Sequence, residues 1–503
     1  GFLGTGKNAG NISISGTPGK RNALNYYIVK NGYYLDQNKT LTEIQSPYLI
    51  TASGFTIASG ATLAIEPGVV IKFIGPGGTP YLQVNGVLNA QGTSAKPIVF
   101  TSYHDDDCGI SGGCGDTNAT TTLPQPGDWH AIKITANGSI LDHTIVRYGG
   151  YEDPSGDVWA NIRVENALVT IKNSTIEKSQ DYGIWVKNSS GGTIESNLIK
   201  NNNRNEGGQT PGTGLVITAS SPQIINNQFI QNNIGLQIGN NSAPQVSNNT
   251  FNQNIGVALD IISSYPTFSG NLASNNGTNG ISMGGLISQD YSLSANLPYV
   301  FSNSYTVSPG KTLTISAGTI LKFQNTGALS TAGKTLVNGT ADSKVIFTSI
   351  KDDAYGGDTN ADGSVSVPQA GDWLNLTFAS GSSSSTIDNA LVRYGKNGAI
   401  KVDGVSIDIK NTTVENNYSY GVWLNNSTST IISASLIQDH QKPEPGSSYG
   451  LFLTASSTPF IQNTNFKNNK TGIFADGTSS VQNGGGIIFD GNTINTTPAN
   501  LIP

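Results

Sequence analysis

An acidic segment in the second half of the chain has the residue types and the spacing that can hold a metal ion. Asp358, Asn360 and Asp362 occupy alternate positions, and Gly363 and Ser364 follow directly. Ca²⁺ prefers about six to eight oxygen ligands, and alternate side chains of a tight loop point inward. Gly363 stands where such a loop turns sharply. We therefore predict a structural calcium site at this segment.

Two carboxylates just upstream, Asp352 and Asp353, can supply further ligands. The helix-flanked form of a calcium loop is not met, because Gln369 stands where that form has a bidentate Glu. The alternative interpretation is a solvated polar loop whose Asp and Asn side chains form only Asx turns.

The corresponding segment of the first half is altered. Asp105, Asp106, Asp116 and Asn118 remain, but Thr120 replaces the last loop acid and no glycine follows it. The metal site of the first half is therefore predicted to be weaker or empty.

The only two cysteines of the chain, Cys108 and Cys114, lie in this first-half segment. Their short spacing permits a small disulfide ring. Without a third cysteine or a CxxC pair, zinc is a poor interpretation. A disulfide suits an oxidising, extracellular setting. We expect one loop to be fixed by a covalent bond and its counterpart by an ion.

One insertion is private to the first half. Residues 151–159 have no counterpart in the second half, where residues 395–398 close the gap. Tyr151 and Trp159 in this insertion are candidates for stacking on sugar rings or on a partner protein. The alternative is a loop that folds back with Trp159 buried.

These segments belong to two copies of one longer pattern. Leu63–Phe73 reads LAIEPGVVIKF and Leu313–Phe323 reads LTISAGTILKF; Ile98–Trp129 and Val345–Trp373 then share an acidic insert that ends in GDW. Residues kept in both copies are expected to serve the scaffold. Residues found in one copy are where a private function is expected.

A shorter period lies inside each copy. A glycine followed by alternating apolar residues recurs at Gly183, Gly214 and Gly235, with Asn-x-apolar segments between them, such as those at Asn227 and Asn249. A period of about 20–30 residues without a helical pattern predicts an all-β solenoid, a right-handed parallel β-helix. We expect stacked Asn side chains to form a hydrogen-bonded ladder and the glycines to supply positive φ. Sandwiches and propellers fit this period poorly.

The repeated LTISAGTILKF run, the DD…GGDTN…GDW insert and the RYG segments resemble the right-handed parallel β-helix repeat proteins that bacteria secrete or display on their surface. The resemblance covers most of residues 47–500. It implies an architecture, and leaves the activity open because the fold is a scaffold with many uses.

The duplication predicts three parts: residues 1–45 as an N-terminal cap or strand-donating segment, 46–285 as a first β-helix with the disulfide-bearing loop, and 286–503 as a second β-helix with the calcium-type loop. Exposed rung edges at the ends make self-assembly possible.

Composition narrows the class of partner. A net charge of -6 argues against nucleic acid, and no apolar run reaches the roughly 18 residues of a membrane span. Scarce Lys, Cys and Met with abundant Asn, Thr and Gly favour an extracellular or cell-surface location.

We expect a non-catalytic protein for adhesion, polysaccharide binding, or a structural surface layer or fibre, with polysaccharide or other surface proteins as partners. The alternative is a polysaccharide-degrading lyase or glycoside hydrolase of the same fold. Such an enzyme needs an Arg or Lys beside a metal, or two carboxylates about 6.5–9.5 Å apart. No catalytic residue is assigned, because the recurring Arg147 and Arg393 are interpreted as structural.

Overall fold

The computed structural model describes residues 27–29, 32–43, 46–51, 54–75, 80–111, 113–114, 117, 122–151, 159–202, 212–440 and 448–502. These residues form 54 short strands and no α-helix, and their strand pairings are parallel. Within this part of the chain, no helix has the length and hydropathy needed to cross a membrane. The predicted all-β solenoid of stacked parallel strands is confirmed.

The chain divides into two compact units. The first comprises Gly1–Leu259 and Ser264–Gly277, and the second Asp260–Ser263 and Thr278–Pro503. The strand Val257–Ile262 crosses this division. The boundaries predicted from the duplication, including the role of residues 1–45 as a cap, stay predictions, and residues 1–26 lie outside the described part.

Three parallel sheets, N1, N2 and N3, run through the first unit. Sheet N1 contains Tyr27–Val29, Tyr48–Ile50, Val70–Phe73, Ile98–Ser102, Thr144–Arg147, Thr175–Glu177, Leu198–Lys200, Gln228–Ile230, Thr250–Asn252 and Leu272–Ser274. Sheet N2 contains Tyr33–Leu35, Phe55–Ile57, Leu82–Val84, Ile132–Ile134, Ala160–Glu165, Tyr182–Lys187, Thr213–Thr218 and Ile234–Gly239. Sheet N3 contains Lys39–Leu41, Thr62–Ile65, Val87–Gln91, Ser139–Asp142, Leu168–Lys172, Gly191–Glu195, Gln223–Ile225, Gln245–Ser247 and Thr267–Ser269.

The second unit repeats the arrangement with sheets C1, C2 and C3. Sheet C1 contains Thr278–Gly284, Tyr299–Phe301, Ile320–Phe323, Val345–Ser349, Ala390–Arg393, Thr413–Glu415, Leu436–Gln438, Asn465–Lys467 and Ile488–Asp490. Sheet C2 contains Leu286–Ile287, Ser304–Val307, Ala328–Thr331, Leu376–Phe378, Asn397–Asp403, Tyr420–Asn425, Tyr449–Thr454, Thr471–Ala475 and Ile494–Thr497. Sheet C3 contains Tyr291–Leu293, Thr312–Ser316, Lys334–Asn338, Thr386–Asp388, Asp408–Lys410, Ile431–Ser433, Phe460–Gln462 and Gln482–Asn483.

The side chains inside each coil stack in rows because the strands are in register from rung to rung. Phe229 lies on Phe251 with ring centroids 4.8 Å apart. The tryptophans of the two GDW motifs are buried, and Trp129 stacks on Phe73 at 4.2 Å. Alternation along each strand turns every second side chain outward. The outward side chains are therefore the ones that can reach a ligand.

The predicted asparagine ladder is present. Asn232 Nδ2 donates to Asn254 Oδ1 over 3.1 Å and to the Ile199 carbonyl over 3.0 Å, and its own Oδ1 accepts from Asn202. A second ladder runs through Asn227 and Asn249. These buried amides satisfy backbone groups at successive bends and hold the rungs in register.

The predicted positive φ at the repeat glycines is wrong for Gly183, Gly214 and Gly235. Positive φ is instead found at residues that precede the ladder, such as Asn226 and Asn248. Glycine is needed for space: a Cβ on Gly183 would lie 2.5 Å from the carbonyl oxygen of Gly214 on the next rung. Close backbone approach between rungs is therefore the reason for the repeated glycine.

Candidate functional site

Three carboxylates of the second-half loop converge. One oxygen each from Asp353, Asp358 and Asp362 lies within 4.8 Å of the other two. In the described part of the chain this is the one group of three or more His, Cys, Asp and Glu side chains that is close enough to share an ion. The spacing of the sequence thus brings these three predicted ligands together.

The loop backbone fixes the orientation of these carboxylates. Asp358 accepts hydrogen bonds from the amides of Asp362 and Gly363, at 3.1 and 3.0 Å. Asp362 accepts from the hydroxyl of Ser366 and from the amide of Ser364, the latter at 3.1 Å. The hydrogen bond from Ser366 is the largest cause that lowers the pKa of Asp362. The loop therefore favours the ionised form of Asp362.

Two buried oxygens of the loop have no hydrogen-bond partner among the described residues. They are Asp353 Oδ1 and Asn360 Oδ1, while Asp353 Oδ2 accepts from Ser364 Oγ at 3.1 Å. Buried acceptors without partners are costly, and a hard cation would satisfy them. An all-oxygen donor set of carboxylates, an amide and a hydroxyl fits Ca²⁺ better than zinc.

Asp352 is not one of the three converging carboxylates. Its carboxylate accepts from Thr348 Oγ1 at 2.5 Å and lies 3.8 Å from Arg393 Nε. Arg393 also approaches Glu415 at 3.6 Å, so it ties the insert loop to the coil. Asp352 was predicted as a metal ligand, but in the structure its carboxylate contacts Thr348 and Arg393.

A buried lysine lies beneath each insert loop, a feature the sequence reasoning missed. Lys322 Nζ donates to the Gly357 carbonyl at 2.8 Å, and Lys72 Nζ donates to Thr117 Oγ1 at 2.8 Å. Burial lowers the pKa of Lys322 to about 8, although nearby carboxylates, chiefly that of Asp352, raise it in part. The sequence signal for these buried lysines was a charged residue inside the otherwise apolar VIKF and ILKF strands of the two copies.

The first-half loop is held by covalent and ionic contacts. Cys108 and Cys114 form the predicted disulfide, and Cys108 packs against Val70 and Val99. Asp105 and Asp106 face protein groups: Asp105 accepts from Thr101 Oγ1 at 2.5 Å and Asp106 lies 3.5 Å from Lys72 Nζ. The other predicted ligands of this loop, Asp116 and Asn118, lie outside the described residues.

Arg147 is the first-half counterpart of Arg393 and has the predicted structural contacts. Its Nε lies 3.0 Å from Glu177 and 3.6 Å from Asp105, and its Nη2 donates to Tyr148 Oη at 3.0 Å. The two duplicated arginines are therefore engaged by neighbouring strands and by the insert loops.

The private aromatic residues of the first half contact other side chains. The imidazole of His130 stacks on Trp159 at 4.7 Å and on Tyr151 at 5.2 Å, and the guanidinium of Arg163 lies 4.5 Å from the Trp159 ring. Trp159 is half-buried, and these contacts reduce the ring area open to a sugar. The predicted ligand-binding role of Trp159 and Tyr151 stays a prediction, and residues 152–158 lie outside the described part.

Sheet C2 carries a larger aromatic surface, which we call the C2 aromatic face and define as Tyr420, Trp423, Tyr449, Phe452 and Phe474. All five side chains point outward and are half-buried. The Tyr420 and Tyr449 rings are parallel within 6° at 5.4 Å, and Tyr449 and Phe474 stack at 4.7 Å. The rings thus form a stacked aromatic cluster over three successive rungs, in which Tyr449 lies between Tyr420 and Phe474.

Hydrogen-bonding groups border this face. Trp423 Nε1 donates to Thr454 Oγ1 at 3.0 Å, Thr454 donates to Asn425, and Asn425 donates to Asp403 at 2.8 Å. The combination of flat apolar rings and a polar edge suits the apolar faces and hydroxyl groups of sugars.

The sequence did contain a signal for this surface. Each of the second-half motifs Gly421-Val-Trp, Gly450-Leu-Phe and Gly472-Ile-Phe has an aromatic residue two positions after its glycine. Register pairs Trp423 with Phe452 and Phe452 with Phe474 on adjacent rungs. Each aromatic residue directly follows a buried apolar residue (Val422, Leu451 or Ile473), and alternation from these inward residues would have placed all three aromatic residues on the outer surface.

Comparison with known families supports the architecture. A model of the right-handed β-helix region matches residues 134–296 and 377–500, more than half of the chain. A model of the pectate-lyase-like β-helix domain matches residues 32–175.

Individual relatives are distant. Protein bark beetle of Drosophila melanogaster is 37% identical over 86 residues, which is 17% of this chain and 3% of that protein. The A-module of a mannuronan C-5 epimerase from Azotobacter vinelandii is 12% identical, with 91% of this chain and 88% of that chain covered and a TM-score of 0.20. The catalytic domain of a GH87 α-1,3-glucanase is 14% identical, with 94% and 70% covered and a TM-score of 0.19. Likenesses at this level carry no information on activity.

Proposed function

The chain belongs to the right-handed β-helix family, and we propose that it is a non-catalytic extracellular or cell-surface member that binds polysaccharide through the C2 aromatic face. The observation that carries this proposal is the row of outward, half-buried aromatic rings on successive rungs. Adhesion to a polysaccharide layer or attachment within one is the role we infer from it.

The geometry suits a chain of sugar units that runs along the coil axis. Successive rungs of a parallel sheet are about 4.8 Å apart, which is close to the length of one pyranose unit. Phe452 and Phe474 lie on adjacent rungs in register. Consecutive sugars of one chain can therefore contact aromatic side chains of successive rungs. Flat rings recognise the apolar face of a sugar with little loss of side-chain freedom.

Engagement of the charged groups supports the non-catalytic part of the proposal. Glu177 pairs with Arg147, and Asp128 accepts from Ser102 Oγ at 2.5 Å and from the amide of Gln125 at 2.9 Å. In the second half, Asp372 has the same contacts with Ser349 and the amide of Gln369. These carboxylates serve turns and loop attachment.

Calcium is proposed as a structural cofactor of the second-half loop. The convergence of three carboxylates and the two unpartnered oxygens of Asp353 and Asn360 support it. The Cys108–Cys114 disulfide supports an extracellular location, since such bonds persist in oxidising compartments.

A pull-down on insoluble polysaccharides tests the binding proposal. Wild-type protein is expected to sediment with at least one of cellulose, chitin, xylan and β-glucan. The Phe452→Ala/Phe474→Ala variant is expected to bind roughly tenfold more weakly or worse, because two stacking contacts of about 1 kcal/mol each are lost. Phe460→Ala is the matched control: Phe460 is a half-buried outward phenylalanine on sheet C3. Equal binding by all three proteins would refute the aromatic face as the site.

One observation favours a polysaccharide-degrading enzyme as the second candidate function. In the first unit, His143 lines an open cavity of about 590 Å³, and its Nδ1 lies 2.7 Å from Asp142 Oδ1. A carboxylate that orients an imidazole is the arrangement of a general base. Reducing-sugar release, measured in the same pull-down, decides between the two. Release that disappears in His143→Gln would establish catalysis.

A further inference from the structure

The cavity that His143 lines lies against the outer surface of sheet N1. Its volume of about 590 Å³ is within the range of small-molecule sites, roughly 300–1,000 Å³. One wall is formed by residues 93–97, which belong to the loop between sheets N3 and N1, and another by residues 109–111 of the insert loop. Ile145 and Thr175 of sheet N1 line the cavity from the coil side.

The wall formed by residues 109–111 depends on the disulfide. These residues lie inside the ring that the bond between Cys108 and Cys114 closes. Ile110 and Ile145 both pack against the buried apolar cluster that contains Cys108. Because closure of a short ring restricts the backbone within it, the bond holds this wall in place over sheet N1.

The second half shows what happens when the matching space is filled. Lys344 stands at the position of Pro97, directly before the strand that follows the loop. Lys344 Nζ donates to Thr413 Oγ1 over 3.3 Å, and Thr413 matches Thr175. A lysine side chain therefore bridges the loop and the sheet in the second half, whereas the proline of the first half leaves this space open.

The polar groups of the cavity also differ between the halves. Glu43, Lys96 and His143 line it. The second half has Ser343 at the position of Lys96 and Asn389 at the position of His143. Together with the disulfide, the residues found in one copy thus gather around one cavity, which is where a private function is expected.

The chemistry of the lining suits a neutral ligand that is rich in hydroxyl groups. Glu43 and Lys96 lie 2.8 Å apart and neutralise each other, so the cavity has no net charge while His143 is neutral. Asp142 engages His143 Nδ1 at 2.7 Å, which leaves Nε2 for a ligand. These groups and the Thr175 hydroxyl offer both donors and acceptors, and the two isoleucines offer an apolar wall. A sugar unit has this combination of hydroxyl groups and an apolar face.

We infer that this cavity is a second saccharide site, which takes about one or two neutral sugar units and is formed only while the Cys108–Cys114 bond is intact. The sugar units are those of a free disaccharide or those at the end of a longer chain. The inference rests on the proposed function for the class of ligand, and it adds a site on a different sheet from the C2 aromatic face. It concerns binding and requires no cleavage.

Titration of the full chain with neutral disaccharides, followed by saturation-transfer NMR, tests this inference. The probes are cellobiose, laminaribiose, xylobiose and N,N′-diacetylchitobiose, and the wild type is expected to bind at least one of them. Pro97→Lys is expected to weaken this binding by about tenfold or more, because the new side chain fills the cavity as Lys344 fills its counterpart. Ala341→Lys is the matched control, since it adds the same charge to the corresponding loop of the second half and is expected to bind like the wild type.

Two further arms test the role of the disulfide and the source of the sugar. Dithiothreitol, or Cys108→Ala/Cys114→Ala, is expected to weaken binding of the same disaccharide by about tenfold or more, since the wall at residues 109–111 is released. A hexasaccharide of the same linkage separates the two sources: affinity equal to that of the disaccharide identifies the end of a chain as the ligand, and weaker binding identifies the free sugar. Melting curves confirm that each protein is folded at the temperature of the titration.

The comparison is repeated in the Phe452→Ala/Phe474→Ala background, which removes the proposed contribution of the C2 aromatic face. Loss of disaccharide binding in this background would overturn the inference, as would a wild type that binds none of the probes or a Pro97→Lys variant that binds like the wild type. Unchanged binding after reduction would overturn the dependence on the disulfide. These outcomes leave the proposed function standing, because sedimentation with insoluble polysaccharide tests it separately. Failure of the wild type to sediment would count against the proposed function alone.

Discussion

The backbone amide of Asn417 donates to Nδ1 of His440 over 3.3 Å, at a position where the ladder otherwise uses asparagine. The ladder then continues through Asn469 and Asn492, since His440 N donates to Asn469 Oδ1 and Asn469 donates to Asn492. His440 is fully buried, and its Nε2 has no hydrogen-bond partner among the described residues. The imidazole is therefore accommodated only in its neutral form.

Acidification is expected to destabilise the second half through His440. Burial lowers the pKa of His440 to about 3 in the folded state, against about 6.5 in the unfolded chain. Because the unfolded state takes up the proton first, stability is unaffected above pH 6.5 and falls as the pH drops toward 3. The loss at pH 5 should be about 2 kcal/mol. His440→Asn should remove this part of the pH dependence, as measured by urea unfolding at pH 7 and pH 5. An unchanged pH dependence in the variant would exclude this role for His440.

The ladder asparagines are expected to contribute strongly to stability. Asn232→Ala removes the hydrogen bonds that its side chain makes to Asn254, Ile199 and Asn202, and leaves buried backbone groups unsatisfied. The free energy of unfolding should fall by roughly 3 kcal/mol or more. Asn89→Ala is the control, because Asn89 points outward from sheet N3 and pairs with Gln91. A similar loss of unfolding free energy in the two variants would show that a ladder asparagine contributes no more to stability than a surface asparagine.

The sequence predicts the coil well because its period fixes both register and burial. Asn227 and Asn249 are one rung apart, and the structure joins their side chains. The separation of Cys108 and Cys114 within one loop was enough to predict their bond. These features depend on neighbours along the chain or on the adjacent rung.

Other features could not be predicted from the sequence because they depend on how side chains pack in the folded coil. Asp352 leaves the acidic cluster because it faces Thr348 and Arg393. The sequence did not predict that His440 belongs to the ladder, because the other rungs have an asparagine at this position. The C2 aromatic face depends on the register that places Trp423, Phe452 and Phe474 on successive rungs, although they are far apart in the sequence.

Reduction of the disulfide is expected to destabilise the first half. Cys108 and Cys114 are separated by six positions, and closure of so small a ring lowers the entropy of the unfolded chain by the equivalent of about 2 kcal/mol. Dithiothreitol should lower the melting temperature of the wild type. Cys108→Ala/Cys114→Ala should melt at a lower temperature with or without reductant. A wild type that melts identically in both conditions would contradict the structural role of the bond.

Removal of calcium is expected to destabilise the second half. If the loop binds Ca²⁺, a concentration of 100 times Kd stabilises the folded state by about 2.7 kcal/mol, because the unfolded chain lacks the converged ligands. Dialysis against EDTA should lower the melting temperature, and added Ca²⁺ should restore it. Isothermal titration of the metal-free protein should show one site per chain.

Substitution of two loop ligands separates a specific site from a general charge effect. Asp353→Asn/Asp358→Asn should abolish both calcium binding and the response to EDTA, since two of the three converging carboxylates are lost. Asp342→Asn is the control, because Asp342 is an exposed acid in a turn of the same half. Relief of carboxylate repulsion in the double variant should raise its melting temperature above that of the metal-free wild type. The calcium proposal would be contradicted if EDTA left the melting temperature of the wild type unchanged and elemental analysis found no metal. The loop would then be a polar loop that is held only by its Asx turns.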